Sequence, residues 1–403
     1  MALTALSEAM ATVLGSCTIT PESEVVPLDQ ALGRFCAQSV TAGLAVPPAD
    51  NSAMDGYAVC SRDVPAVLSV SQRIPAGSVP LPLEPGTAAR IFTGAEMPEG
   101  ADAVVLQEAT EETDQGIRLP AVQAGQHIRQ RGNDIQPEDQ LVAPGQYLRP
   151  QDIGLLASVG VDRITVFCPL TVAIMTTGDE LRDPGSGDLQ PGQIFNSNRF
   201  SLGAQIRALG MTVVDLDNVP DDPAQIGSML ERAAKEADCI VTAGGVSVGE
   251  EDHVRSQIEA RGDLALWKLA IKPGKPLAFG SVQGTPIFGL PGNPVSAWIT
   301  FALVAKPWLL KRQGAALRPA FRFSVRAAFT IARAGSREEF LRVSLTGQGE
   351  TMRANALTNQ SSGVLSGLSE ADAVAVIPAG TTVASGDYLE VIPLSALLDA
   401  GVA

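Results

Sequence analysis

Three loops follow directly on apolar runs and carry residue types that bind small charged ligands: Thr177-Gly178-Asp179-Glu180, Gly244-Gly245-Val246-Ser247-Val248-Gly249-Glu250 and Gly289-Leu290-Pro291-Gly292-Asn293-Pro294. Glycines such as Gly244, Gly245, Gly249 and Gly292 let a backbone approach a ligand closely. Asn293 reads as a helix N-cap with Pro294 at the first helical position, so this helix start would offer free N–H groups and a positive dipole end to an anion. The lysines point the same way. The chain has six, and Lys268, Lys272 and Lys275 fall within eight residues of one another. In an extended chain Lys268, Ala270 and Lys272 would share one face. Arg129 and Arg131, in His127-Ile128-Arg129-Gln130-Arg131-Gly132-Asn133-Asp134, form a second basic cluster.

Carboxylates supply the complement. Asp179 and Glu180, Asp221 and Asp222, and Glu250 and Asp252 each follow or approach the end of an apolar run. Together they would suit Mg²⁺, which prefers a few carboxylates completed by water and substrate oxygens. Asp222, ahead of Pro223, reads instead as a helix cap. The alternatives are ordinary strand-to-helix turns for the three loops and solvated edge strands for the basic clusters.

The common nucleotide fingerprints are absent. Gly274-Lys275 is followed by Pro276, so there is no G-x-x-x-x-G-K-[ST], and no G-x-G-x-x-G opens a helix after a strand. Gly245-Val246-Ser247-Val248-Gly249 does spell the G-x-S-x-G of a hydrolase nucleophile elbow. That chemistry needs a histidine base well downstream, and only His253 follows Ser247, six residues on. A serine hydrolase is therefore the minor alternative, and His253 reads as a surface or cap residue. The polar segment 50–58 fails the calcium-loop pattern, because Ser52 and Met54 stand where oxygen-rich ligands are needed. The acidic run 96–114 reads as a solvated face.

For the three loops to meet, they must lie at the carboxyl ends of strands in one open sheet. The pattern between 169 and 315 supplies this: strands over 171–175, 212–216, 239–242 and 264–269 alternate with helices over 197–209, 223–235 and 252–260, followed by a hairpin around Gly284 and a helix from Pro294. The spacing predicts helices over residues 1 to about 40, the first with Leu3, Leu6, Met10 and Val13 on one face and Gly15 at its end. Short apolar runs between Gly/Pro turns from about 45 to 150 predict a small β unit, and Pro150 opens a helix through Val159. After Arg318 short strands over 321–325, 340–345, 374–377 and 388–392 return, with no convincing helix. The expected fold is multidomain α/β plus β. It comprises a discontinuous N-terminal helical part (1–44 and 139–168), an inserted β domain (45–138), an open α/β sheet (169–316) and a C-terminal β barrel (317–403).

Composition narrows the partners. The formal charge is −15 in 403 residues, which argues against nucleic acid and against an anionic membrane surface, both of which are recognised by excess Lys and Arg. Five scattered cysteines without a C-x-x-C, and only two histidines, point to reduced thiols in the cytoplasm and to a hard, oxygen-bound metal if any. The first basic residue is Arg34, so the apolar start lacks the charged region of a signal peptide, and the stretch 295–310 is broken by Lys306 and Pro307, too short to span a bilayer.

Several motifs go further than physics. DNSAMDGYA at 50–58, TGDEL at 177–181, AGGVSVG at 243–249, WKLAIKPGKP at 267–276 and LPGNPVS at 290–296 resemble the molybdopterin molybdenumtransferase family, the molybdenum insertases that include the gephyrin E domain. Ile91 to Gly94 followed by Met97 to Val105 resembles it too, so the likeness runs along nearly the whole chain. The resemblance implies an α/β domain of the molybdopterin-binding type and a homodimer whose site lies between the α/β domain of one subunit and the β domain of the other. The reaction it implies is insertion of molybdate into adenylated molybdopterin, with Mg²⁺-dependent release of AMP, giving molybdenum cofactor. By motif, Asp55, Glu180, Asp221, Asp252, Lys268 and Lys272 take catalytic roles, with Glu180, Asp221 and Asp252 toward the metal. Thr93, Arg129, Asp134, Pro291, Pro294 and Ser362 take substrate or anion roles by the same motifs, and the reading of the loops and basic residues adds Gly244, Gly245, Ser247, Gly249, Lys275, Gly292, Asn293 and Arg342. Gln360-Ser361-Ser362-Gly363 departs from the pattern at Ser361, where the family often has Gly. Implied partners are a molybdopterin adenylyltransferase and proteins that mature molybdoenzymes. A non-catalytic molybdopterin-binding scaffold is the alternative; it predicts loss of site carboxylates, and none is missing.

Overall fold

The computed structural model describes residues 3–17, 22–245 and 253–399. The site-bearing region is built from Thr171–Thr177 (β1), Ser197–Ala208 (α1), Thr212–Val219 (β2), Pro223–Glu236 (α2), Cys239–Ala243 (β3), His253–Arg261 (α3), Leu264–Lys268 (β4), Pro276–Val282 (β5), Thr285–Leu290 (β6) and Pro294–Thr300 (α4). Among the described residues the sheet order is β2-β1-β3-β6-β5-β4, with the first four strands parallel and β5 antiparallel to both its neighbours. The period of two explains how one sheet feeds two cores. Along β1, Val172 and Ile174 pack with Leu202 and Ile206 of α1. Ala173 and Met175 pack on the other face with Ile226 and Leu230 of α2 and Ile258 of α3. Burial on both faces is why β1 and β3 read as continuous apolar runs rather than alternating ones. Asp222 caps α2 as its position before Pro223 predicts, accepting from the Gln225 N–H at 2.8 Å.

Two departures from the sequence reading have local causes. The apolar stretch 295–310, read as interrupted by Lys306 and Pro307, continues as one helical run: a wide turn over Phe301–Ala305 leads from the helix at Pro294 into Lys306–Arg312. Such a turn reorganises the hydrogen-bond ladder just where Pro307 has no N–H to give. The stretch read as one strand through Lys272 is also broken. Leu269 N–H donates to the Lys275 carbonyl and Ala270 N–H to that of Thr4. Lys268 therefore ends β4, whereas Ile271–Lys272 pairs with Glu338–Glu339 of the C-terminal unit.

That unit contains Phe323–Ala327 (β7), Glu338–Thr346 (β8), Arg353–Ala356 (β9), Ala373–Ile377 (β10) and Tyr388–Pro393 (β11). The order β8-β9-β7-β11-β10 closes when β10 pairs back onto β8, making a barrel. Strand β9 and the short helices Ser366–Glu370 and Leu394–Leu398 have no clear pattern of their own.

The N-terminal part is the main correction. The helix is Leu6–Gly15 and buries Ala9 and Val13, with Leu3 left exposed. Helix does not continue toward residue 40. Ser23–Pro27 is a strand, antiparallel to Arg163–Phe167, and Val40–Thr41 pairs with Gln140–Val142. Val25 and Val26 are β-branched and favour that conformation once a distant partner is present. The intervening β unit has the strand order Ala103–Leu106, Gly56–Val59, Thr87–Ile91, Ala66–Ile74, Gly116–Leu119, Glu111–Thr113. Among the described residues no helix is long and apolar enough to cross a membrane.

Phe288 of β6 is fully buried against Phe279, centroids 5.0 Å apart, and Trp308, at 5.5 Å. Phe288→Ala is expected to cost about 3–5 kcal/mol in the denaturant transition of this region. A loss below about 1 kcal/mol would show that this cluster does not hold the sheet to the 294–312 helix.

Candidate functional site

The loop after β1 is held from beneath by amides and hydroxyls. Asn196, buried at the N-cap of α1, donates to Thr176 Oγ1 at 2.8 Å, and Asn218 Nδ2 donates to the Gly178 carbonyl at 3.0 Å. Asn198 Nδ2 reaches the Gly292 carbonyl at 2.6 Å, tying α1 to the loop after β6. Between them lies the loop after β3, where Gly244 has φ +102°, and an added Cβ there would sit 2.6 Å from the Thr177 carbonyl oxygen. Only glycine fits such a position without displacing the neighbouring loop. The three loops thus meet at one end of the sheet, as the open α/β arrangement requires.

They enclose a cavity of about 680 Å³, lined by Glu180, Asp221, Gly244, Gly245, Pro291, Gly292, Asn293 and Pro294 among others. Thr177, Asn196, Ser197 and Asn198 add polar groups to the lining, and Leu181, Ile194 and Phe195 add apolar ones. The size suits a ligand larger than a free oxyanion. The Asp221 N–H donates to Asp179 Oδ1 at 3.2 Å, which brings a second carboxylate against Asp221. Burial first, then the charges of Asp179 and Glu180, push the Asp221 carboxyl above its ordinary range. These hard oxygen donors fit a divalent cation that also takes water and substrate oxygens. Among the described residues no three His, Cys, Asp or Glu groups converge closely enough to hold a metal by themselves. Asp252, Ser247 and Gly249 lie outside the described residues.

A second, basic cavity of about 380 Å³ adjoins the first, sharing Pro276, Asn293 and Ser296 with it. Lys272, Lys275, Ser361, Ser362 and Arg337 line it. Arg337 carries no motif and was missed in the sequence; its guanidinium is anchored by the Ile271 carbonyl at 2.9 Å. Lys272 pairs with Glu339 at 2.8 Å, so part of its charge is already balanced. Lys268 lines neither cavity, because it belongs to a different strand from Lys272.

Two anion expectations change in kind. Arg342 is 1% exposed and turns away from any ligand. Its Nη1 donates to the Val364 carbonyl at 2.7 Å, and its Nη2 to the carbonyls of Asn359 and Ser361 at 3.1 and 3.0 Å. It holds the loop that carries Ser362 rather than touching an anion. The start of α4 is also less open than its sequence implies. Asn293 sits at the N-cap but makes no side-chain cap bond, and the Val295 N–H donates to the Ser362 carbonyl at 3.0 Å.

Asp55, Thr93, Arg129 and Asp134 all lie in or beside the β unit, and none lines the two cavities. Thr93 places both its N–H, at 2.7 Å, and its hydroxyl, at 2.8 Å, on Asp55 Oδ1. These two donors hold the Asp55 carboxyl below its usual range, with Arg90 assisting. Arg129 pairs through its strand with Asn51, and Asp134 N–H donates to the Val46 carbonyl. Asp55, fixed by both Thr93 donors, is thus a preformed, ionised carboxylate on a separate unit.

Comparison with known proteins gives consistent matches along the chain. Residues 4–160 match the family described as MoeA N-terminal region (domain I and II), 173–311 a probable molybdopterin binding domain, and 324–394 the MoeA C-terminal region (domain IV). The molybdopterin molybdenumtransferase of Haemophilus influenzae is 39% identical over 77% of this chain and 78% of its own length. That of Nostoc sp. is 36% identical over 93% of this chain and 89% of its own. The crystal structure of the molybdopterin biosynthesis moeA protein of Pyrococcus horikoshii superposes with a TM-score of 0.83 at 28% identity, covering 97% of this chain and all of that one.

Because the folded state raises the Asp221 pKa, ionised Asp221 opposes folding above its ordinary pKa of 3.8 and ceases to do so once protonated. Asp221→Asn should therefore raise Tm at pH 7, with the gain fading as the pH falls toward 3.8. A lower Tm at pH 7 in a metal-free buffer would contradict the crowding of these carboxylates.

Proposed function

This chain belongs to the molybdopterin molybdenumtransferase family, enzymes of molybdenum cofactor biosynthesis, and from that premise we propose that its paired cavities join molybdate to adenylated molybdopterin with release of AMP. One observation carries the reading: an acidic lobe with room for a molecule of nucleotide size abuts a smaller lobe lined by two lysines and an arginine. Lys272, Lys275 and Arg337 would hold molybdate, with the Ser362 hydroxyl as a further donor. Glu180 and Asp221, completed by Asp252, would hold Mg²⁺, which supplies charge neutralisation to the phosphate oxygens of the substrate. A carboxylate of that group would take the proton from the water that attacks the adenylyl phosphorus; the bridging P–O bond of the phosphoanhydride breaks, AMP leaves and the molybdopterin phosphate is freed, while the two dithiolene sulfurs bond molybdenum in place of molybdate oxygens that leave, with the thiol protons, as water. Gly244, Gly245 and Gly292 let the backbone close on the pterin-bearing ligand, and the apolar side chains of Ile194 and Phe195 shield one side of it from water.

The Asp55–Thr93 pair belongs to this reaction only if it comes from elsewhere, since it lines neither cavity of its own chain. We assign it to a second copy of the chain, whose β unit completes the site in a homodimer working in the cytoplasm. A molybdopterin adenylyltransferase would supply the substrate, and proteins that mature molybdoenzymes would receive the product.

Purified protein with adenylated molybdopterin, molybdate and Mg²⁺ should release AMP, with chelation of Mg²⁺, Asp252→Ala or Glu180→Gln lowering the rate about 100-fold or more. No AMP release, or release unchanged by these changes, would refute the reaction. Asp55→Ala and Lys275→Ala chains, each inactive alone, should recover about a quarter of wild-type activity when mixed and reassembled, since half the dimers are mixed and each has one intact composite site. No recovery on confirmed subunit exchange would refute the shared site.

A further inference from the structure

On the C-terminal barrel, a cavity of about 620 Å³ shares no lining residue with the two cavities described above. Arg326 of β7, Arg353 of β9 and Tyr388 of β11 line it, together with Ser385, Gly386 and Glu350. The barrel's register explains the grouping. Arg326 lies opposite Arg353 in the β7–β9 ladder and opposite Tyr388 in the β7–β11 ladder, so the three side chains stand in one row on one face.

Two guanidiniums side by side repel, and like charges on paired strands cost stability unless something lies between them. Neither has a carboxylate partner among the described residues. Arg326 instead donates to the Gly386 carbonyl at 3.2 Å and lies over the Tyr388 ring, 4.4 Å from its centroid. Arg353 donates to the carbonyls of Glu350 and Met352 at 3.1 and 2.9 Å. Neutral carbonyls and a ring face fix the direction of both charges without cancelling either. Tyr388 is 66% exposed, so packing does not account for the row. The only acid in the lining, Glu350, is exposed and makes no ion pair with either arginine.

We propose that this cavity binds a phosphate group, free or as the ester of a small molecule. Arg326 and Arg353 would grip its oxygens with forked N–H pairs, and the Ser385 hydroxyl in the same lining would add a donor. Each guanidinium keeps N–H donors beyond those spent on carbonyls, which is the supply a tetrahedral oxyanion needs. The site stands whether or not the α/β cavities perform the reaction proposed above.

The test uses the full chain carrying Lys272→Ala, Lys275→Ala and Arg337→Ala, so that the basic α/β cavity does not report. Titrated calorimetrically at constant ionic strength with inorganic phosphate, it should bind one equivalent and show a phosphate-dependent rise in Tm. Adding Arg326→Gln and Arg353→Gln should weaken binding at least tenfold and abolish that rise. The same pair should leave Tm in phosphate-free, low-salt buffer unchanged or higher, since it removes a repulsion. Arg353→Lys, which keeps the charge and loses the fork, should bind about threefold to tenfold more weakly. Tighter binding of phenyl phosphate than of inorganic phosphate assigns the site to esters, and equal binding assigns it to the free ion; either supports a phosphate site. Phosphate binding that survives loss of both arginines, or no saturable binding in the parent, overturns it.

Discussion

A buried arginine without a carboxylate holds the site together. Arg342 sits inside the barrel wall and spends its guanidinium on the carbonyls of Val364, Asn359 and Ser361. Burial alone disfavours its charge, which is why its pKa falls. Three charge-assisted bonds offset part of that cost, and they do so only while the loop keeps one shape. Gln360 reinforces the clamp, donating to the Arg342 carbonyl at 2.8 Å. From this loop the Ser362 carbonyl takes the first available N–H of the helix at Pro294. The barrel and the α/β sheet therefore share a wall, and the basic cavity exists because of it.

The two lobes divide charge that the whole chain would average away. At a net −15 the molecule repels polyanions. Yet Lys272, Lys275 and Arg337 gather around one small space, while Glu180 and Asp221 line another, with Asp179 held against Asp221. Crowding like charges has a cost in each lobe. A ligand that is an oxyanion at one end and carries a cation at the other relieves both costs at once. The Asp55–Thr93 pair extends the same logic to a separate unit: two donors on one oxygen keep a carboxylate ionised and fixed before any ligand arrives.

Much of this was legible in the residues, and the division follows range. The strands and helices of the α/β sheet were readable because each carries its own period, as in β1, where alternate side chains feed opposite cores. The three glycine-bearing loops were readable from their place after those strands. Ser23–Pro27 reads as helix from its local pattern because its strand partner, Arg163–Phe167, is remote in sequence. The lysine stretch reads as one strand because nothing local shows that Ile271–Lys272 leaves for the barrel. Arg337 and Arg342 lie five residues apart on one strand and its approach, yet one faces a cavity and the other the interior. Only the closure of the barrel separates them.

The central claim is that the basic lobe is the oxyanion end of the site and is independent of the acidic lobe. Equilibrium dialysis of molybdate against the purified chain tests it directly. Arg337→Ala should weaken binding at least tenfold, while Glu180→Gln should leave it unchanged or strengthen it. Equal binding by Arg337→Ala and the parent chain, or an equal loss in Glu180→Gln, would contradict the assignment.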